Sequence, residues 1–260
     1  MRTSDDNSRK TSSDIDSGII YGRNAVVELL KSASPVDTVY IDKEMQDSLA
    51  SYYIALANGK KAIVKRLPAV KLDNICGDKH HQGIAASASF CNYCSVDDIL
   101  SYAAEKDEKP FIVLTDGIED PHNLGAIIRT AECAGAHGVI IPKRGNVAVN
   151  ATVHRASAGA SSHIKIARVS NLANEIRELK KNGVFFYCAD MDGVCCYKSD
   201  LSGSIGLVIG SEGFGVSRLV KELCDGTISL PMYGNINSLN ASAAASALIY
   251  EIIRQRNFKE

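Results

Sequence analysis

From residue 111 onward the chain alternates short apolar runs with segments of helical spacing, up to a long helix at its end. The runs occupy 111–115, 138–141, 164–169, 184–189, 204–209 and 227–230, and most are apolar at consecutive positions. A strand with one face in water alternates polar and apolar residues, whereas a strand that is apolar on both faces has to be covered on both. The pattern predicts an α/β fold, with a mostly parallel sheet and helices at 122–135, 150–159, 172–182 and 238–256 packed over it. Three of the segments that follow strands are polar and rich in glycine: 116–123 reads DGIEDPHN, 209–215 reads IGSEGFG and 230–242 reads LPMYGNINSLNAS. Ligands of α/β proteins gather outside the carboxyl ends of the strands, so these three loops point to one shared pocket.

At 260 residues, 45% hydrophobic and 23% charged, the chain has room for one large domain or two modest ones. Residues 19–90 read as a separate small α/β domain, with helices at 24–32 and 46–58 and strands at 36–41, 62–67 and 83–90. Within it, 59–66 (GKKAIVKR) groups four basic residues around one strand. That grouping serves either phosphate contact or the solvated protection of a sheet edge. Ser95 and Asp98 supply capping-box chemistry to a charged helix, so 91–109 is expected to be a helical linker and Pro110 to open the domain 110–260. Residues 1–18 hold almost no apolar side chains and are expected to form a disordered tail.

The net charge of -1 excludes a uniformly basic coat for nucleic acid but leaves a local patch open. Eight cysteines without a secretory signal, among them Cys133, Cys188 and Cys224 inside apolar runs, fit reduced thiols used as small core residues. The pair Cys91 and Cys94 offers too few ligands for a structural zinc site, and no metal is expected. No run approaches the length of a membrane span, so the reading is a soluble, cytoplasmic protein with no membrane partner.

The turn after residue 115 lacks G-x-G-x-x-G, which disfavours nicotinamide chemistry. In the helix at 122–135, Leu124, Ile127, Ile128 and Ala131 form one apolar stripe and Arg129 lies off it. Placed near a strand-end cleft, Arg129 could hold a phosphate bidentately; a plain surface arginine is the alternative. Asn123 is expected to cap that helix. Glu212, between Gly210 and Gly213, sits where backbone approaches a ligand closely, or simply on a tight turn. Ser238 and Asn240 open the last helix, as caps or as ligand contacts.

Taken together, DPHNLGAIIRTA at 120–131, VIGSEGFG at 208–215 and SLNASAA at 238–244 closely resemble the three motifs of the SpoU-TrmH branch of the SPOUT methyltransferases. The segments Tyr21 to Val26 and His81 to Ile84 resemble the ribosomal-protein-like RNA-binding domain that members carry in front. The resemblance implies S-adenosyl-L-methionine as cofactor, RNA as partner, transfer of methyl to a ribose 2'-hydroxyl, a C-terminal trefoil knot and a homodimer. Carried onto this chain, it implies Asn123, Arg129, Glu212, Ser238 and Asn240 as the polar catalytic positions. The adenosine falls to Ala189, Gly210, Leu230 and Leu239. Family schemes make the motif arginine a base; a guanidinium is too weak an acid to give up its proton in a protein, so Arg129 is expected instead to fix a phosphate and favour developing alkoxide.

The front domain, Pro142-Lys-Arg144 and the full motif set look most like the large-subunit rRNA guanosine 2'-O-methyltransferases. A tRNA ribose methyltransferase and a non-catalytic RNA-binding assembly factor are the competing readings. The departures are small: Tyr233 and Asn235 fall in a variable loop, and Ala243 and Ala244 stand where larger residues are common.

Overall fold

The computed structural model describes residues 18–32, 34–88, 90–236 and 238–258, so the tail expected at 1–18 lies outside the described residues apart from Gly18. The chain divides into two compact units, Met1–Phe90 and Cys91–Glu260.

The front unit runs β1 (Ile19–Tyr21), α1 (Arg23–Lys31), β2 (Val36–Asp42), α2 (Asp47–Gly59), β3 (Ile63–Leu67), α3 (Ala69–Cys76) and β4 (Ile84–Ala88). Its sheet has the order β1-β4-β2-β3, with β2 and β3 parallel and the other pairs antiparallel. Val26, Val39, Ile41, Ala57, Ile84 and Ala86 are fully buried and form its core. The basic segment lies at an edge of this sheet, on and beside β3. Lys60 donates to the carbonyls of Ser32 and Ser34, and Arg66 donates to the Met45 carbonyl at 3.2 Å and pairs with Asp47 at 3.5 Å. Lys61 and Lys65 stay exposed.

The second unit continues with β5 (Tyr93–Cys94), α4 (Val96–Glu105), β6 (Phe111–Asp116), α5 (Pro121–Cys133), β7 (Gly138–Pro142), α6 (Ala151–Ala156), β8 (Lys165–Val169) and α7 (Leu172–Lys181). It ends with β9 (Phe185–Cys195), β10 (Ile205–Gly210), α8 (Arg218–Leu223), β11 (Gly226–Ser229) and α9 (Ala241–Asn257). Its seven strands lie in the order β11-β9-β10-β6-β7-β8-β5, and every neighbouring pair is parallel. Ile112, Leu114, Ile140, Phe186 and Val208 are fully buried, as strands covered on both faces require.

The expected linker at 91–109 is corrected by this arrangement. Tyr93–Cys94 is the edge strand beside β8, and α4 buries Ile99 in the main core, where a side chain on Gly138 would meet Ile99 at 2.6 Å. The Tyr93 hydroxyl also accepts from Val149 N at 3.0 Å. A two-residue strand is too short to show periodicity, so the sequence showed the helix but not its attachment. The capping box of α4 is present, with Ser95 Oγ accepting from Asp98 N and the Asp98 carboxylate accepting from Ser95 N. Of the three cysteines read as core residues, Cys188 is buried and Cys224 partly so, but Cys133 is exposed at the last turn of α5.

His137, fully buried at the foot of β7, accepts from Phe111 N at Nδ1 (2.9 Å) and donates through Nε2 to Glu108 at 3.1 Å. Burial holds its pKa below the ordinary imidazole value, against the opposing pull of Glu108. A group depressed in the folded state adds stability that is complete above the unfolded pKa of about 6.5 and is lost as pH falls through the folded value. Urea unfolding between pH 7.5 and 5 should therefore show a shallower loss of stability in His137→Leu than in wild type. The variant should also be weaker by about 1–3 kcal/mol at pH 7.5, because Phe111 N is left buried without an acceptor. Equal slopes in the two proteins would refute the titration account.

Candidate active site

The three glycine-bearing loops converge at the carboxyl edge of the seven-stranded sheet, and hydrogen bonds tie them together. At the end of β6, Asp116 Oδ2 accepts from Ser217 N at 2.8 Å, which pins the chain after β10 to the chain after β6. Asn146 Oδ1 accepts from Ile118 N at 2.7 Å and joins the loops after β6 and β7. Neither Asp116 nor Asn146 was singled out in the sequence, where an acid at a strand end and an asparagine in a loop carry no distinguishing signal.

Within this frame Asn123, Glu212 and Asn240 form a closed network. Asn123 Nδ2 donates to Glu212 Oε1 at 3.0 Å, and Asn240 Nδ2 donates to Asn123 Oδ1 at 2.9 Å and to Glu212 Oε1. Asn240 is also the N-cap of α9, its Oδ1 accepting from Ser242 N at 2.9 Å, Ser242 Oγ at 2.6 Å and Ala243 N at 3.3 Å. With both amide hydrogens donated and its oxygen occupied, the Asn240 side chain has one orientation only. Glu212 Oε1 also receives Ala241 N at 3.4 Å.

Asn123 is not the cap of its helix. Asp120 caps α5, accepting from His122 N at 2.9 Å, with Pro121 in the first turn, and Asn123 is buried within that turn. The Asp-Pro pair is itself a helix-start signal that would have placed the boundary correctly. Relieved of capping, the Asn123 amide is free to join Glu212 and Asn240. Arg129 lies in the third turn of α5, exposed, and makes no hydrogen bond or ion pair among the described residues. Ser238 is exposed in the loop before α9 and is not part of the network.

The four positions expected to hold a nucleoside stand as follows. Gly210 closes β10, and a methyl group there would lie 2.1 Å from the carbonyl carbon of Gly215 and 2.2 Å from Val216 N, because the loop returns on itself through the Ser211 and Gly215 backbone bonds. Leu230 follows β11, and Leu239 is 47% exposed. Ala189 does not end a strand, since β9 runs on to Cys195. The ladders nevertheless stop beside it: β9 leaves β10 after Cys188, and its register on β11 jumps from Cys188↔Thr227 to Val194↔Ile228. Asp190 and Asp192 interrupt the apolar run there, which hid the continuation in the sequence. Residues 232–236, 238 and 239 make no hydrogen bond within the protein among the described residues, and Met232, Ile236 and Leu239 expose apolar surface. Free backbone donors and acceptors beside apolar side chains, next to the close backbone approach at Gly210, fit the edge and faces of a purine ring.

Set against known proteins, the chain matches the model of the SpoU rRNA Methylase family over residues 110–250 and that for RNA 2'-O ribose methyltransferase substrate binding over 19–94. Two relatives grouped with the TrmH family tRNA/rRNA methyltransferases are similar over nearly their whole length. One from Staphylococcus saprophyticus is 43% identical over 92% of this chain and 96% of its own, and YacO of Bacillus subtilis is 43% identical with the same coverage. Among solved structures, the SpoU methyltransferase AviRb from Streptomyces viridochromogenes, in complex with AdoMet, is similar with a TM-score of 0.59 and 25% identity, over 92% of this chain and 90% of that one. The TrmH/SpoU tRNA modifying enzyme of A. aeolicus is 31% identical with a TM-score of 0.53, over 57% of this chain and 76% of its own. The chain belongs to the SpoU family of RNA methyltransferases.

Proposed function

We propose that this protein transfers the methyl group of S-adenosyl-L-methionine to the ribose 2'-hydroxyl of a guanosine in large-subunit rRNA. The observation that carries the reaction is the network of Asn123, Glu212 and Asn240, with Arg129 exposed two turns further along the helix that bears Asn123. The cofactor would supply an activated methyl on a sulfonium whose charge is lost on transfer. Ala189, Gly210, Leu230 and Leu239 would hold its adenosine portion.

The protein's part is alignment and charge control. Asn240 and Glu212 fix the Asn123 amide, so the polar wall of the site is organised before RNA arrives and little reorganisation remains for the reaction. Arg129 meets the RNA phosphate next to the target ribose as a planar fork and lowers the cost of negative charge developing on the 2'-oxygen. Ser238, exposed beside this wall, orients the ribose. The proton of the 2'-hydroxyl leaves to solvent, with Arg129 serving as the anchor of the phosphate.

The rRNA target is supported by the front unit together with the complete motif set. A tRNA target is the second reading, favoured by the similarity of 57% of the chain to a tRNA modifying enzyme. The reading also includes action in the cytoplasm and a homodimer, the latter supported by Phe214 and Tyr233, which stand almost fully in water in the single chain, and by Ile236, three-quarters exposed. A trefoil knot belongs to it as well, supported by β10, which arrives late in the chain yet lies between β6 and β9. No described helix is long and apolar enough to cross a membrane, and no cluster of metal-ligating side chains occurs among the described residues.

Transfer of tritiated methyl to unmodified large-subunit rRNA, small-subunit rRNA and tRNA, followed by nucleoside analysis, tests the reading. The expected result is 2'-O-methylguanosine on large-subunit RNA alone. Label on tRNA alone would move the target, and label on a base instead of a ribose would refute the reaction.

A further inference from the structure

Asp190 joins two of the segments read as the nucleoside pocket, the one after Cys188 and the glycine loop after β10. It follows Ala189, at the point where β9 has parted from β10 and from β11. Its carboxylate is directed to the glycine loop, with Oδ2 4.0 Å from the position a Cβ would take on Gly215. That same oxygen accepts from Lys221 Nζ of α8 at 2.6 Å, and Oδ1 accepts from Asp192 N at 3.1 Å. The Asp190 side chain is about one-fifth exposed and that of Lys221 about one-third.

Two consequences follow from those contacts. The ammonium of Lys221 holds the Asp190 carboxyl below the usual carboxylate range, so it is ionised at neutral pH. A carboxylate has about four lone-pair sites, and the bonds from Lys221 and Asp192, with a further backbone contact from Met191, leave acceptor capacity unused. The rotamer is thus fixed in advance while the group remains able to bind, which is the condition for an inexpensive ligand contact.

We infer that Asp190 receives the 2'- and 3'-hydroxyls of the cofactor's ribose. A cis-diol presents two O–H donors to the two oxygens of one carboxylate, and acids at strand ends read ribose in the same way in dinucleotide-binding folds. The inference rests on the cofactor reading given above. It makes Asp190 a contact of the cofactor and Lys221 a positioning residue that acts through it. The purely structural alternative is that the pair only tethers the end of β9 to α8.

Calorimetric binding of S-adenosylhomocysteine and of its 2',3'-dideoxy counterpart separates the two. Wild type should bind the dideoxy ligand more weakly. Asp190→Ala should lose about 10- to 100-fold in affinity for S-adenosylhomocysteine, the range for a hydrogen bond to a charged group. For the dideoxy ligand the same variant should change less than about threefold, because the partner hydroxyls are already gone. Lys221→Met should keep the preference for the diol, at reduced affinity. Equal loss for both ligands in Asp190→Ala, or no loss for either, would overturn the contact, and so would disappearance of the preference in Lys221→Met alone. Thermal melting of each variant establishes that it is folded. A wild-type protein that bound neither ligand would fail at the cofactor reading itself, a result distinct from the others.

Discussion

Replacing Arg129 by alanine is expected to reduce methyl transfer about 100- to 1,000-fold, while affinity for S-adenosylhomocysteine stays within a few-fold of wild type. The first part follows from the removal of a preorganised cation at the place where charge develops, a change that costs about 100- to 1,000-fold in comparable sites. The second follows from position: Arg129 is exposed on α5 and has no partner among the described residues, whereas the segments read as the nucleoside pocket follow Cys188, β10 and β11. Stability should hardly change, since exposed side chains without partners contribute little. Arg129→Lys should recover only part of the rate, because a point charge lacks the fork that grips a phosphate in two places. Single-turnover transfer and calorimetry on the same preparations read both quantities. A variant that lost cofactor binding in parallel with rate would assign Arg129 to the wrong ligand.

The second large effect is expected at Gly210. An alanine methyl there would fall 2.1, 2.2 and 2.4 Å from backbone atoms of Gly215 and Val216, none of which is the end of a flexible side chain. Relief requires the loop to open, and the loop carries Glu212, which bonds both asparagines. Gly210→Ala should therefore lose cofactor binding and turnover together, with Tm lowered by about 5 °C or more, the scale of an overpacked core position. Gly213→Ala is the control: nothing lies within 4 Å of a methyl group there, so Tm should be unchanged. If Gly210→Ala melted and bound like wild type, the close return of the loop would not be a requirement of the site.

The sequence revealed most where burial leaves little choice. Ile112, Leu114, Ile140 and Val208 are covered on both faces, so their strands stand out as unbroken apolar runs. The short β1 and β5 and the helix α3, whose buried side chain is Leu72 alone, carry too little periodicity to register. In β9 two aspartates read as the end of a strand, yet the chain stays extended and pairs with β11 again from Val194. The motifs named Asn123, Glu212 and Asn240 separately, but their closure into one network depends on three-dimensional geometry that residue spacing does not encode. The cap is a smaller case of the same kind, since Asp120 with Pro121 took the role that Asn123 alone was expected to fill.

The order in which the sheet is filled bears on the life of the chain before it is complete. β6 is made early and β10 late, yet β10 is hydrogen-bonded to β6 along its whole length. Until residues 205–210 have been synthesised, β6 is an open edge in the centre of the future sheet, its backbone N–H and C=O groups on that side lacking the partners that β10 supplies. Non-local pairing of this kind folds slowly and leaves sticky edges in the interim. Asn240 lies later still, 117 residues beyond the Asn123 it bonds. A chain that ends before Asn240 thus lacks one of the three side chains that close the network.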